Sequence, residues 1–192
     1  MAKDIGEYFS KKINLPVEVK AQKFRIYLKL PILKELNLSG AGETDFLFLK
    51  IEIFQKFNFC ASYQIEVKPI FKLNKSLLIK TFDLPTLMST KIRAVLNRKW
   101  EKTDKNGKTI LTVKGRDYFD LMWYLEKGIK PNMNCLERGN ITDLKIELEK
   151  VVKKADSRSI RLDLENFVAD SEFIKDLSKN IKDILIGGIK NL

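Results

Sequence analysis

Alternation of apolar and polar residues predicts strands in the first half of the chain. Residues 24–30 alternate in this way, and residues 62–70 and 77–82 are two further candidates. The strongest alternation covers residues 45–54, where Leu47 and Leu49 share one face and Phe46 and Phe48 share the other. Because both faces are mostly apolar, we expect residues 45–54 to form a central strand that is covered on both sides.

Helical spacing of apolar residues dominates the second half. It predicts helices over residues 85–98, 116–127, 131–138, 142–155, 159–168 and 171–186, after a short first helix over residues 4–13. The polar stretch 100–113 is typical of an exposed loop or hairpin. The pattern therefore indicates an α+β fold, with the strands in residues 1–83 and a helical part in residues 84–192, packed as one body.

Five charged residues on two of these helices are candidate site residues. Lys91 and Arg98 are two helical turns apart and lie on one side of the helix 85–98. Arg116, Asp117 and Asp120 project from roughly one side of the next helix start. The two aspartates either cap and pair at a helix N-terminus, where the dipole favours acids, or they serve a cleft that binds phosphates.

Glu52 is a carboxylate on the predicted central strand. A carboxylate on a covered face costs several kcal/mol unless it is paired, so Glu52 requires a cation or a metal ion as its partner. The alternative is that Glu52 lies at the end of the strand and reaches water. Carboxylates supply the hard oxygen ligands that a divalent metal prefers, so the first interpretation allows metal chemistry.

The composition narrows the function classes. There is no histidine, which excludes Ser-His-Asp hydrolases and zinc sites built from histidine. The net charge of +11 indicates an anionic partner such as nucleic acid or nucleotide, or else a solvated surface rich in lysine. Three of the seven arginines, Arg93, Arg98 and Arg116, fall within 24 residues, and arginine offers a planar fork suited to phosphate.

Cysteine usage and hydropathy suggest a cytoplasmic protein. Cys60 and Cys135 are the only cysteines and have no metal-ligand spacing, so two reduced thiols are expected rather than a disulfide. No apolar run reaches 18 residues, and the first residues lack the apolar segment of a signal peptide, so no membrane association is expected.

The order of two motifs resembles a known family. Residues 83–98 contain Lys91 and end in Arg98, and residues 114–121 contain Arg116-Asp117-x-x-Asp120. This order of a lysine-bearing helix ending in arginine, then an Arg-Asp-x-x-Asp helix, resembles the AbiEii/AbiGii nucleotidyltransferase toxin family. Residues 162–167 look like the C-terminal helical part of that family, and the resemblance covers residues 20–170.

The resemblance implies a toxin of a toxin–antitoxin or abortive-infection system. Such an enzyme transfers nucleotides from an NTP to an RNA, such as tRNA, or to a protein, with Mg²⁺ and a cognate antitoxin as partners. It implies a nucleotidyltransferase-like mixed sheet in residues 1–83. By the same resemblance, Lys91, Asp117 and Asp120 are catalytic, and Lys91, Arg98 and Arg116 bind the nucleotide phosphates. Glu52 becomes an accessory metal ligand.

One part of the family pattern is missing. The family carries a Gly-Ser or Gly-Gly pair followed about ten residues later by Asp-x-Asp, whereas here Ser39-Gly40 precedes only Asp45. We therefore expect a chain that begins after the metal-binding motif, either as a fragment or a split or truncated gene product, or as a member that has lost this motif. In each case we expect weak or no transferase activity. The alternatives are a non-catalytic basic module that binds RNA or protein, and a structural remnant whose site residues form a buried salt-bridge network.

Overall fold

The computed structural model describes residues 1–23, 25–52, 58–137 and 139–192, and the chain forms two compact units, Met1–Phe57 and Asn58–Leu192. The first unit contains helix α1 (Ala2–Ile13) and strands β1 (Glu18–Gln22), β2 (Arg25–Leu30) and β3 (Leu47–Glu52). The strands form an antiparallel sheet in the order β1-β2-β3. Its small core consists of Ile26, Leu28 and Leu30 on β2, against which the apolar side of α1 packs.

The prediction of a covered central strand at residues 45–54 is wrong for the described part of that segment. Strand β3 lies at the edge of its sheet, and Leu47, Phe48 and Leu49 are 44%, 55% and 41% exposed. Alternation identifies a strand but does not reveal its neighbours, and here β2 takes the central position. Ile53 and Phe54 of the predicted strand, and Phe24 of the preceding one, lie outside the described residues.

The strands of the second unit form two hairpins. Strands β4 (Ile65–Lys72) and β5 (Lys75–Phe82) pair around Leu73 and Asn74, whose φ angles of 52° and 56° suit a tight hairpin turn. Strands β6 (Lys102–Thr103) and β7 (Thr109–Leu111) form the second hairpin. The α+β class is confirmed. Every strand pair in the described ranges is antiparallel, so the mixed sheet implied by the resemblance is not found there.

Helices supply most of the core of the second unit. They are α2 (Leu84–Asn97), α3 (Gly115–Glu126), α4 (Ile141–Lys154), α5 (Ser157–Leu164) and α6 (Ser171–Lys190), with a short 3₁₀ helix at Met133–Cys135. Their fully buried side chains include Ile92, Leu121, Leu148, Ile160 and Ile181. The short helix predicted over 131–138 spans only three residues, and Arg138 lies outside the described residues. Among the described residues, no helix is both long and apolar enough to cross a membrane.

The cysteine prediction is wrong, because Cys60 and Cys135 form a disulfide. The backbone N–H of Ala61 donates to the carbonyl of Asn134, and the Asn132 side-chain amide donates to the carbonyl of Ser62. These bonds hold the two segments side by side although the cysteines are 75 residues apart in sequence. Spacing along the chain could not show that proximity.

Candidate functional site

Helix α2 positions Lys91 and Arg98. It begins at Asp83, whose carboxylate accepts the backbone N–H of Thr86, and Pro85 in the first turn favours helical backbone. Met88, Ile92 and Val95 are buried along the adjoining side of the helix, so Lys91 and Arg98 lie at the edge of the buried face. Lys91 and Arg98 therefore emerge together from one side, two turns apart, as the spacing predicted. The backbone N–H of Arg98 closes the helix by donating to the carbonyl of Ala94.

The start of α3 is pressed against the backbone of α5, and Gly115 makes this contact. A Cβ atom at position 115 would lie only 2.5 Å from the carbonyl oxygen of Ile160, so any side chain there would force the helices apart. The close contact draws the first turn of α3 into the body of the unit. Asp117, two residues later, is only 4% exposed as a result.

Four of the predicted site residues converge between α2 and α3. Arg98 Nη1 lies 2.5 Å from Asp117 Oδ2, and Lys91 Nζ lies 2.6 Å from Asp120 Oδ2. Lys91 Nζ is also 3.9 Å from Asp117 Oδ1, so the lysine bridges both carboxylates. Asp117 is buried, whereas Lys91 and Asp120 reach solvent with side chains that are 34% and 39% exposed. We call these four residues the charge cluster.

Lys114 and Tyr118 lie next to the charge cluster, and both have shifted pKa values. Burial of the Lys114 ammonium, reinforced by the charge of Arg98, lowers the pKa of this lysine. Burial, with a smaller contribution from Asp117, raises the pKa of Tyr118 to about 12. A cavity of about 20 Å³ beside Arg98, Lys114, Asp117 and Tyr118 holds one water molecule at most. A ligand of nucleotide size therefore has access only to the open side, where Lys91 and Asp120 lie.

Arg116 lies outside the charge cluster, although its spacing predicted a common side with Asp120. Its Nε lies 3.4 Å from Asp163 Oδ2, and the same oxygen accepts the Arg116 backbone N–H at 3.1 Å. Its guanidinium carbon lies 4.0 Å from the ring centroid of Phe167. Asp163, on α5, is 5% exposed. Helical spacing could not reveal this contact, because Asp163 pairs with a residue 47 positions away.

Glu52 belongs to the first unit and has its own cations. Its Oε1 lies 2.9 Å from Arg25 Nε on β2 and 3.2 Å from Lys50 Nζ on β3. The hydrogen bond from Lys50 is the main cause that lowers the pKa of this carboxyl, and the charge of Arg25 adds to it. Glu52 is the exposed last residue of β3, so the geometry agrees with the alternative of a strand-end carboxylate that reaches water, and its partners are two basic side chains.

Comparison with known proteins identifies the family. Residues 2–189 match the family model described as the nucleotidyl transferase AbiEii toxin of the type IV toxin–antitoxin system. The chain belongs to this AbiEii family. No curated protein and no solved structure matches the chain. The family resemblance drawn from Lys91, Arg98 and the Arg-Asp-x-x-Asp motif is thereby confirmed, and membership implies an antitoxin as partner.

The Mg²⁺ ion implied by the AbiEii resemblance has no matching donor set in the described residues. Magnesium sites combine carboxylates with phosphates and waters in a near-octahedral arrangement. Here the Oε1 atom of Glu52 already contacts two cations. Within the parts of the chain that the structure describes, no three acidic or cysteine side chains come together as a metal site. The described residues therefore offer no ready-made three-carboxylate site for the ion.

Proposed function

We propose that the charge cluster binds the triphosphate of an NTP, in a site of the nucleotidyl-transfer type. The observation that carries this proposal is the convergence of two cations and two carboxylates from α2 and α3 at one partly open position. Nucleotidyl transfer joins an acceptor hydroxyl oxygen to the α-phosphorus, breaks the bond to the β-phosphate and releases pyrophosphate. Such transfer depends mainly on positioning and on neutralising negative charge. The proposed acceptor is an RNA such as tRNA, or a protein.

The two cations differ in how freely they can reach a phosphate. Arg98 is held by the buried Asp117, so the arginine stays fixed beside the cluster. Lys91 pairs mainly with the partly exposed Asp120 and can exchange that contact for a phosphate oxygen. Asp117 and Asp120 then orient Lys91 in the free protein, and Asp120, the more exposed of the two carboxylates, takes the proton of the acceptor hydroxyl. Lys114, whose pKa is lowered by burial, adds a third basic group beside Arg98.

The same proposal includes weak nucleotide transfer by this chain. The 192 residues contain no Asp-x-Asp motif, and Glu52 is paired with Arg25 and Lys50. The charge cluster offers phosphate recognition, but within the described residues no three acidic side chains come together as a metal site. We therefore expect NTP binding with little or no transfer by this chain. Robust Mg²⁺-dependent transfer of nucleotide to RNA or protein by the purified chain contradicts this expectation.

Removal of the positive charge of Lys91 tests whether this residue binds the triphosphate. Lys91→Ala is expected to weaken NTP affinity by about tenfold or more, since a hydrogen bond to a charged group contributes about 1.5–3 kcal/mol. Isothermal titration calorimetry with ATP and GTP measures the change. Lys150→Ala is the matched control, because it removes the same charge from an exposed position on α4. Unchanged affinity in Lys91→Ala, or an equal loss in Lys150→Ala, removes Lys91 from the site.

A non-catalytic module that binds RNA or a partner protein is the second candidate, and the net charge of +11 favours it. It predicts RNA binding whose affinity falls steeply with salt, because displaced counterions drive the association. It also predicts that removal of the negative charges at Asp117 and Glu52 leaves binding unchanged. Filter binding of RNA at several salt concentrations to the unaltered chain and to the Asp117→Asn variant separates the two candidates, with Glu52→Gln as a control outside the charge cluster.

A further inference from the structure

Exposed Phe167 and half-buried Arg116 form a contact pair at the start of α3. Phe167 follows α5 and is 58% exposed, so burial of its ring does not explain its position. The guanidinium carbon of Arg116 lies 4.0 Å from the ring centroid, which is the geometry of a cation–π contact. Arg116 immediately precedes Asp117, so the pair lies one residue along α3 from the carboxylate that holds Arg98.

The buried Asp163 fixes the orientation of Arg116. One carboxylate oxygen of Asp163 accepts both the backbone N–H and the Nε–H of Arg116. Two bonds to one buried atom restrict rotation of the guanidinium plane, and the Phe167 ring covers one of its faces. Asp163 is the ion-pair partner of the guanidinium, but among the described residues the two terminal amino groups of Arg116 have no hydrogen-bond acceptor. They are available to an anionic ligand.

We propose that Phe167 and Arg116 form a stacking platform for a nucleobase, with the terminal amino groups of Arg116 taking the adjoining phosphate. The platform deepens the nucleotidyl-transfer proposal and rests on it. An exposed aromatic ring beside an arginine is the combination by which proteins stack unpaired bases, and it needs no hydrogen-bond code for the base. Because Asp163 fixes Arg116 in advance, little ordering is lost when the ligand binds.

The stacked base comes from one of two ligands, which share the same chemistry. It belongs either to the NTP, whose triphosphate then extends to the charge cluster, or to an unpaired nucleotide of an RNA strand that is placed next to the cluster as acceptor. In both cases the ring of Phe167 contacts the face of the base. The two sources are distinguished by whether a free nucleotide or a single-stranded oligonucleotide responds to a change at position 167.

The test uses 2-aminopurine, whose fluorescence is quenched by stacking. The full chain is titrated with 2-aminopurine riboside triphosphate and, separately, with a single-stranded RNA oligonucleotide that carries one 2-aminopurine. Phe167→Leu keeps an apolar side chain but removes the aromatic face, and it is expected to weaken binding of one of the probes by about five- to tenfold. Phe167→Tyr keeps the ring and is expected to retain the quench and the affinity.

Two further variants test the specificity of the effect. Phe173→Leu is the matched control, because Phe173 is also exposed, at 48%, and among the described residues no arginine lies over its ring. It is expected to bind both probes as the unaltered chain does. Arg116→Gln is expected to reduce the slope of log affinity against log salt by about one, which marks one lost phosphate contact. Phe167→Leu is expected to leave that slope unchanged.

Several outcomes overturn the platform. They are unaltered binding of both probes by Phe167→Leu, an equal loss in Phe173→Leu, loss in Phe167→Tyr, and absence of any quench by the unaltered chain. The Lys91→Ala variant distinguishes failure of the platform from failure of the nucleotidyl-transfer proposal. If Lys91→Ala weakens ATP binding but Phe167→Leu has no effect, the platform fails alone. If Phe167→Leu weakens RNA binding but Lys91→Ala leaves ATP affinity unchanged, the assignment of the charge cluster fails alone.

Discussion

The helical region around Asp117 and the sheet region around Glu52 each place one carboxylate between two cations, in different surroundings. Asp117 is 4% exposed and contacts Arg98 and Lys91, which come from another helix. The Glu52 side chain is 33% exposed and contacts Arg25 and Lys50, which lie on the paired strand and on its own strand. The two sets of ion pairs therefore differ in solvent access. They also differ in what they connect, because the Asp117 pairs join two helices and the Glu52 pairs lie within one sheet.

Solvent access decides how much each arrangement contributes. Water and salt screen a pair at the surface, so exposed ion pairs typically contribute about 0–1 kcal/mol. A buried carboxylate is costly without its partners, because it has already lost its hydration. Asp117 therefore couples α2 to α3, chiefly through Arg98. Glu52 instead adds a small local contribution at the edge of a sheet.

Asp117→Asn gives the largest expected effect. The amide keeps the shape of the side chain but leaves Arg98 and Lys91 without their buried counter-charge. We expect the free energy of unfolding to fall by about 2–4 kcal/mol, below the upper range for buried pairs because both cations reach solvent. Urea unfolding followed by tryptophan fluorescence, to which Trp100 and Trp123 both contribute, measures the change. Asp120→Asn is the control and is expected to lose about 1 kcal/mol or less, since Asp120 is 39% exposed.

Equal losses in these two variants would show that burial does not separate the carboxylates. The proposed difference between a buried and a solvent-screened carboxylate would then not hold even for Asp117 and Asp120, which belong to the same charge cluster.

Gly115→Ala is expected to give the next largest effect, because it tests how Asp117 comes to be buried. The added methyl group meets the backbone of Ile160, which cannot turn aside as a side chain would. We expect a loss of about 1–3 kcal/mol in the free energy of unfolding, measured by the same urea titration. Gly139→Ala is the control, since no atom lies within 4 Å of its added Cβ. A neutral Gly115→Ala would mean that the close contact of α3 and α5 does not hold Asp117 in place.

Local periodicity was sufficient to predict half of the charge cluster. Lys91 and Arg98 lie on one side of α2 because two helical turns separate them, whatever the surroundings. The same rule was insufficient for Arg116, which helical geometry placed with Asp120. A buried acid 47 positions later draws the guanidinium away, and no spacing rule includes Asp163.

The predictions for the strand over residues 45–54 and for the two cysteines were wrong for a related reason. The apolar faces of residues 45–54 predicted a covered central strand, but the pairing order places β3 at an edge. The disulfide between Cys60 and Cys135 depends on hydrogen bonds between distant segments. In each case the missing information is which segments become neighbours, and a single sequence encodes it only through the whole fold.

Glu52→Gln gives the smallest expected effect and completes the comparison. Because Lys50 and Arg25 lower the pKa of Glu52, its contribution to stability is present above the unfolded pKa near 4.3 and is lost as pH falls through the lower, folded pKa. At pH 7 we expect amide hydrogen exchange in residues 25–52 to change by less than about threefold, and at pH 3 the change should vanish. A slowing or acceleration of tenfold or more at pH 7 would mean that Glu52 is as structurally important in its sheet as Asp117 is between its helices.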